Sequence, residues 1–153
     1  MTHELAIFES GMPPVEDVRR LETLLLTLPQ IDLQTKHIVH GKVSARYGLI
    51  PAGCALTGAL TKIDNICVLI GDITVTTEDG VKRLTGFHVL PANAGAKRAG
   101  VAHADTWWVT LHHTELTDIE AIEDEMTDES MMLLTRREAI ECEDRKAIAE
   151  QEA

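Results

Sequence analysis

The chain has 153 residues, of which 44% are hydrophobic, 25% charged and 3% aromatic, a composition that excludes collagenous and disordered classes and is typical of one globular domain. No apolar run approaches the roughly 18 residues needed to cross a bilayer, and the N-terminus lacks the pattern of a signal peptide. We therefore expect a cytoplasmic protein that does not contact membranes. The three cysteines form no CxxC pair, which disfavours a disulfide framework or a cysteine-rich zinc site.

The net charge of −11 is concentrated at the C-terminal end of the chain. Residues 1–114 hold 11 acidic and 10 basic residues, whereas residues 115–153 hold 14 acidic and 4 basic residues. Nucleic acid phosphates attract basic surfaces, and no basic cluster compensates for the acidic tail. This distribution predicts a protein that does not bind nucleic acid directly.

Residues 1–30 are predicted to form an N-terminal arm that contains one amphipathic helix. Pro14 is suited to begin this helix and Pro29 to end it. The apolar positions recur at spacings of three and four, which places them on one helical face. They are Val15, Val18, Leu21, Leu25 and Leu28. We expect this face to cover a core or a neighbouring subunit.

Residues 31–114 change to short apolar or alternating runs separated by glycine and proline, which is the pattern of β-strands; residues 66–70 and 73–77 are two of these runs. Glu78-Asp79-Gly80 stands between two such runs, at residues 73–77 and 81–84, and predicts a tight hairpin turn. About seven or eight strands with no helix between them predict an antiparallel sandwich or barrel. A parallel βαβ fold is excluded because no crossover helix fits between the strands.

Residues 115–153 return to helical periodicity and form the predicted acidic C-terminal tail. Residues 117–120 read Thr-Asp-Ile-Glu, which predicts a capping box with Thr117 at the N-cap, and residues 135–138 offer a second one. Leu133, Ile140 and Ala147 recur every seven residues and form a weak seam. The tail is expected to dock either on another subunit or on its own barrel.

Histidines in the β-region raise the possibility of a metal site, although no HxH, HxxxH or HExxH spacing is present. The candidate ligands for one divalent transition metal are His88, His103 and His112 with Asp64, or with Asp105 in its place. The other histidines that could join such a cluster are His37, His40 and His113.

Motifs for other chemistry are weak. The chain has no GxSxG motif and no cysteine beside a recognisable histidine partner, so no catalytic residue is predicted. Residues 95–100 combine two glycines with Lys97 and Arg98, but no helix follows, which favours a connection between strands over a phosphate site.

Trp107 and Trp108 are adjacent, so on a strand one ring faces the core and the other faces outward. An outward tryptophan often marks an interface, and such a ring is also suited to line a ligand cavity.

The β-region resembles cupin-like proteins of tailed bacteriophages over about residues 37–120. The segments that carry the resemblance are residues 47–53, 56–58, 71–75, 78–80, 91–92 and 95–107. The resemblance implies a small jelly-roll barrel. It also implies that metal-dependent members hold their ion with two histidines and a glutamate in a first motif and a third histidine in a second. Here residues 58–71 contain no histidine and His103 lies late, which argues for a barrel without a metal or other cofactor.

We therefore predict a mainly β, cupin-like jelly-roll barrel with an N-terminal helix and C-terminal helices. The leading functional hypothesis is a non-enzymatic phage protein that acts by homo-oligomerisation and by docking on other virion proteins, in the host cytoplasm and in the virion. Its expected interface residues are Trp107, Trp108, Leu133, Ile140 and Ala147. The alternatives are a metal-dependent small-molecule enzyme, such as an isomerase or dioxygenase, and a cupin that binds a sugar or other ligand without catalysis.

Overall fold

The computed structural model describes residues 13–133 and Arg136, and it is mainly β. Helix α1 spans Val15–Leu25 and helix α2 spans Ile119–Met126, followed by a short 3₁₀ helix at Ser130–Met132. The seven strands lie between the two α-helices. They are β1 (Lys36–His40), β2 (Val43–Ile50), β3 (Ala55–Thr57), β4 (Asn65–Thr77), β5 (Gly80–Ala92), β6 (Ala99–Ala102) and β7 (Thr106–His113). In the part of the chain that these elements cover, no helix has the length and apolarity needed to span a membrane.

All strand pairs are antiparallel, in the order β1-β2-β7-β4-β6-β3, with β5 on the other edge of β4. Strand β4 pairs with β7 through residues 66–70 and with β6 through residues 73–75. The sheet therefore divides along β4 and curls into a half-barrel, which confirms the predicted mainly β fold with a helix at each end.

Gly71 lies at the point where β4 changes neighbour. Its φ of +151° is a conformation that other residues rarely adopt, and a Cβ atom there would lie 2.5 Å from the hydroxyl of Thr106. Gly86 stands opposite Gly71 on β5 and also has a positive φ. The sequence pattern predicts separate strands at residues 66–70 and 73–77, but the structure joins them into one bent strand because Gly71 continues the ladder with β5.

The predicted hairpin is present between β4 and β5, with Thr77 opposite Gly80. Gly80 has φ +104°, and the Thr77 hydroxyl donates to the Gly80 carbonyl at 2.7 Å. The concave side of the sheet carries the core. Its buried members are Ile50, Cys67, Leu69, Ile73, Val75 and Ala102.

The convex side of the sheet is apolar across four strands and at Ile38 of β1, and we call it the outer apolar face. Strand register aligns its side chains into three rows that run across the sheet. The rows are Leu49-Trp107-Ile70-Phe87, Tyr47-Val109-Val68-Val89 and Ile38-Ala45-Leu111-Ile66-Pro91.

The start of α2 corrects the predicted capping box. The N-cap is Asp118, whose Oδ2 accepts the Ala121 amide at 3.0 Å, so the expectation of Thr117 at this position was wrong by one residue. Both residue types are good N-caps. The backbone is extended at Asp118 and the helix begins at Ile119, so Asp118 occupies the N-cap position. Leu133 is buried within its own chain. The second predicted capping box, Ile140 and Ala147 lie outside the described residues.

Candidate ligand cavity inside the half-barrel

A cavity of about 560 Å³ lies between the concave side of the sheet and two segments that cover it. One cover runs from Glu22 in α1 to Thr35, and the other runs from Met126 to Leu133. Most lining side chains are apolar. They include Leu28, Leu33, Ile50, Leu56, Trp108 and Leu133. The volume falls within the range of roughly 300–1,000 Å³ that is usual for small-molecule sites.

Polar side chains occupy one end of this concave side, on strands β1, β2 and β7. Arg46 stands opposite His37 on one neighbour and opposite Thr110 on the other. His112 lies two residues after Thr110 on β7, on the same inward side, and stands opposite Ser44 of β2. Directly opposite side chains have Cβ atoms about 5 Å apart, so these groups form one inner polar cluster. Arg46 and Thr110 line the cavity itself.

Three nitrogen atoms of the inner polar cluster are buried and find no hydrogen-bond partner within the described part of the chain. They are Nε2 of His37, Nε of Arg46 and Nε2 of His112. A buried polar atom without a partner costs about 1–3 kcal/mol, so most proteins satisfy such atoms or reserve them for a ligand. A polar ligand group at this cluster would reduce the free-energy penalty of these buried, unpartnered nitrogen atoms.

The charges of the cluster follow from its burial. Burial lowers the pKa of His37, and the positive charge of Arg46 lowers it further. Burial also lowers the pKa of His112 against the opposing effect of Glu125. Both imidazoles are therefore neutral at pH 7. Burial lowers the pKa of Arg46 too, with Glu123 opposing it, but a guanidinium stays protonated in proteins. The cluster thus presents one cation to the cavity.

A second set of charges holds the covers in place, and we call it the Lys97 clamp. The Lys97 side chain has no exposed surface, and its Nζ lies 2.9 Å from carboxylate oxygens of both Glu22 and Glu129. The same Nζ donates to the Gly58 carbonyl at 2.9 Å. Glu22 belongs to α1 and Glu129 to the C-terminal cover, so one ammonium ties both covers to the barrel.

Glu129 is the most heavily bonded carboxylate of the clamp. It accepts from the Leu60 amide at 2.9 Å and from Nη2 of Arg19 at 2.9 Å, in addition to Lys97. Burial alone raises the pKa of Glu129, but hydrogen bonds from Lys97, the Leu60 amide and Arg19 outweigh burial and lower it to about 2. The carboxylate is therefore ionised throughout the neutral range, and the clamp is a fully formed ion cluster.

Sequence reasoning missed both the Lys97 clamp and Arg46. Residues 95–98 connect β5 to β6, as expected, and β6 begins at Ala99. Lys97 and Arg98 are nevertheless buried in this connection. Residues 95–100 carry no local signal of this burial, because the partners of Lys97 are Glu22 and Glu129, which lie far away in the sequence. Arg46 gave no signal, because one arginine in an alternating strand is typical of a solvent-facing position.

Cys67 lines the cavity but does not supply a nucleophile. Burial raises the pKa of its thiol to about 12, with Arg98 opposing the change. The reactive form of cysteine is the thiolate, which is negligible for such a group at neutral pH. Arg98 itself donates to the backbone carbonyls of Thr76 at 2.6 Å and Pro91 at 3.2 Å, so its guanidinium is engaged in the fold.

The structure places the four predicted metal ligands in separate surroundings. Asp64 accepts the Ala94 amide at 2.8 Å, and the alternative acid Asp105 accepts the Ala52 amide at 2.9 Å. The histidines are also apart. His88 lies 2.9 Å from the Thr85 carbonyl, His103 lies 2.7 Å from the Thr74 hydroxyl, and His112 belongs to the inner polar cluster. Across residues 13–133 and Arg136, no three His, Cys, Asp or Glu side chains meet as a metal site would require.

The two tryptophans take opposite sides of β7, as the alternation predicts. Trp108 faces inward, lines the cavity and packs on the core. Trp107 faces outward, is 42% exposed and contacts Tyr47 with ring centroids 6.3 Å apart. Leu133, expected at an interface, lines the cavity of its own chain. The first part of the tail therefore docks on its own barrel.

By sequence, the chain matches no protein-family model and no curated protein. Three of the solved structures it resembles are a cupin superfamily protein of Desulfitobacterium hafniense, KdgF of a Halomonas species and a cupin-2 domain protein of Shewanella frigidimarina. The first is 14% identical with a TM-score of 0.43, over 60% of this chain and 88% of the other. KdgF is 20% identical with a TM-score of 0.45, over 54% and 80%. The third is 9% identical with a TM-score of 0.42, over 61% and 91%. The structural neighbours thus include cupin superfamily proteins, whereas the expected phage origin stays a prediction.

Proposed function

We propose that this protein binds a small amphipathic organic acid in its cavity and does not transform it. The observation that carries this proposal is Arg46, a cation on the concave side whose buried Nε has no acceptor among the described residues. The proposal corresponds to the non-catalytic ligand-binding alternative predicted from the sequence.

The anionic group of the ligand is inferred from the geometry of a guanidinium. Arginine presents parallel N–H donors that match the two oxygens of a carboxylate, and such pairs are stronger than neutral hydrogen bonds. Thr110 stands opposite Arg46 in the register and adds a hydroxyl at the same end of the cavity. A carboxylate at this end would pair with the Arg46 guanidinium and add to the compensation of its charge that Glu123 provides.

The apolar body of the ligand is inferred from the rest of the lining. Leu33, Ile50 and Trp108 form apolar walls beyond the polar end. At the covers, Leu28 and Met132 line the cavity and are also solvent-exposed, so an apolar path leads from the surface inward. An acid with an aliphatic or aromatic body matches this division into one polar end and apolar walls.

Binding without catalysis is favoured by the state of the reactive groups that line the cavity. Glu22 and Glu129 are engaged by Lys97, so neither is available as a general base. The Cys67 thiol is protonated at neutral pH because burial raises its pKa to about 12. These engagements support a role in holding a molecule rather than in making or breaking its bonds.

Titration calorimetry with octanoate and octan-1-ol tests the proposal, alongside a panel of aromatic acids. We expect the wild-type protein to bind one acid per chain and to prefer octanoate over the matched alcohol. Arg46→Gln should weaken acid binding by roughly 10–100-fold, the equivalent of one charge-assisted contact, and leave alcohol binding unchanged. Arg83→Gln is the matched control, since Arg83 is exposed and pairs with Asp72 away from the cavity. No response to any acid, or equal binding by the Arg46 variant, would overturn the proposal.

A role in assembly, as the sequence predicts for a phage protein, is a second candidate. It is favoured by the outer apolar face, which suits self-association. Native mass spectrometry of untagged protein distinguishes ligand binding and assembly from the metal-dependent enzyme alternative. One transition-metal ion per chain would favour the enzyme, whereas a metal-free oligomer that co-purifies with virion proteins would favour assembly.

A further inference from the structure

The outer apolar face is unusual for an antiparallel sheet with one covered side. Such sheets normally alternate apolar residues toward the core with polar residues toward water. Here the three rows carry no polar group other than the Tyr47 hydroxyl, and several of their residues are strongly exposed in the single chain. Phe87 is 67% exposed, Val89 54% and Ile66 46%. The sheet therefore has two apolar sides, of which the described part of the chain covers one.

The size of this face approaches that of a specific interface. The three rows hold thirteen positions, and strands about 4.8 Å apart with rows about 6.8 Å apart give a flat projection of roughly 420 Å². Two such faces packed together bury roughly 850 Å² before side-chain relief is added, close to the lower limit of about 1,000 Å² for a specific interface. Exposed apolar patches on monomers rarely exceed a few hundred Å² unless they bind something.

Charge permits a second copy of the same chain as the occupant. Residues 1–114, which contain the whole sheet, hold 11 acidic and 10 basic residues, so the sheet region is close to neutral and two copies repel each other little there. The rows contain one ionisable group, the Tyr47 phenol, and the central row continues with the exposed Lys36 at the free edge of β1. Contact through this face brings together surfaces that carry few charges.

The side-chain sizes in the rows are also complementary to themselves. A two-fold axis along the central row, which contains Val109, places the first row of one copy over the third row of the other. Trp107 then faces Leu111 of the second copy, and Phe87 faces Pro91 of the second copy. Large rings thus meet smaller side chains on the same two strands, as close sheet packing requires.

We propose that the protein forms a two-fold dimer by packing the outer apolar faces of two copies together, with Trp107 and Phe87 as the principal contacts. Large aromatic side chains near the centre of an interface commonly carry much of its binding energy. This inference is independent of the cavity and of its ligand.

Sedimentation velocity and native mass spectrometry of the full chain test the dimer. We expect twice the 16.8 kDa mass of one chain at about 50 μM protein. Val89→Lys and Val109→Lys each place a charge on the central row, and each should weaken dimerisation at least 100-fold, with circular dichroism confirming an intact fold. Leu24→Lys is the matched control, because Leu24 is 49% exposed on α1 and lies away from the face.

Several results would overturn the proposal. A monomeric wild-type protein at this concentration would do so, as would a trimer or a larger ring. A dimer that survives both lysine substitutions in folded protein would place the interface elsewhere. A monomer that dimerises only after residues 137–153 are removed would identify the chain's own C-terminal segment as the occupant. If both lysine variants fail to fold, Phe87→Ser provides a milder change at the most exposed position, and an unchanged dimer in that variant would count against the proposal.

Discussion

Replacing Lys97 with methionine tests whether the Lys97 clamp holds the two covers on the barrel. Methionine keeps much of the volume and removes the charge, so Glu22 and Glu129 would face each other without the ammonium that lies 2.9 Å from each. The Gly58 carbonyl would also lose its donor. The expected result is a large loss of stability, because removing one partner of a buried ion cluster leaves the others uncompensated.

The magnitude follows from Glu129. Its pKa falls from 4.5 to about 2 in the folded chain, and at about 1.4 kcal/mol for each pH unit this corresponds to about 3 kcal/mol of stabilisation of the ionised form. Lys97 shares this effect with the Leu60 amide and Arg19, but its removal adds the repulsion between two carboxylates. We therefore expect Lys97→Met to lower the free energy of unfolding by about 3 kcal/mol at pH 7.

The pH dependence provides a second readout. A carboxylate whose folded pKa is depressed stabilises the protein above its unfolded pKa and loses that contribution as the pH falls through the folded value. The wild-type protein should therefore lose this stabilisation between about pH 4.5 and 2. In Lys97→Met the loss in this window should be smaller, so the two stability curves approach each other at low pH.

Urea unfolding at fixed protein concentration, from pH 7 to pH 3, measures both effects. The matched control is Lys62→Met, because Lys62 pairs with Asp128 at 2.8 Å on the surface, where such pairs contribute less than about 1 kcal/mol. A Lys97→Met protein that is no less stable than Lys62→Met, or one with the wild-type pH profile, would refute the assignment of Lys97 as the clamp.

Three further predictions concern the strands and α2. Gly71→Ala should lower the free energy of unfolding by at least about 3 kcal/mol, because the new Cβ would lie 2.5 Å from the Thr106 hydroxyl. Gly86→Ala, in open space at φ +88°, should lower it by only about 1 kcal/mol. Equal losses for the two variants in urea unfolding would contradict the close approach at Gly71. Cys67, with a pKa of about 12, should react with maleimide only after unfolding, and its labelling in the folded protein, detected by peptide mass spectrometry, would contradict its burial. Asp118→Ala should cost about 1 kcal/mol and Thr117→Ala less, and the reverse order would favour the capping box predicted from the sequence.

The order of helix, strands and helix was predictable from the chain because each signal is local. Alternation along a strand predicted that Trp107 and Trp108 take opposite sides, and Asp79-Gly80 predicted the hairpin. The position of the α2 cap was less predictable, since Thr117 and Asp118 satisfy the same local rule. Local rules also predicted two strands where β4 is one. They place a break at Gly71, because the pairing with β5 that continues through Gly71 cannot be predicted from neighbouring residues.

The candidate site was much less predictable. His88, His103, Asp64 and His112 share the chemistry of metal ligands, but their positions depend on where separate strands and loops lie in three dimensions. Arg46 faces the cavity because β2 pairs with both β1 and β7, and neither pairing can be read from the residues around Arg46. Composition and spacing indicate which chemical groups a chain contains. A binding site forms only where such groups lie close together in the folded structure.

The amino-acid sequence alone specifies a mainly β domain, its turns and its acidic C-terminal end, because these features depend on neighbours close in sequence. The cavity, the Lys97 clamp and the outer apolar face arise from the folded arrangement. Lys97 becomes a structural cation only when α1 brings Glu22 and the C-terminal cover brings Glu129 to within 2.9 Å of its ammonium group. In the extended chain the same lysine is solvated like any other, since the energy of an ion cluster depends on separation and burial.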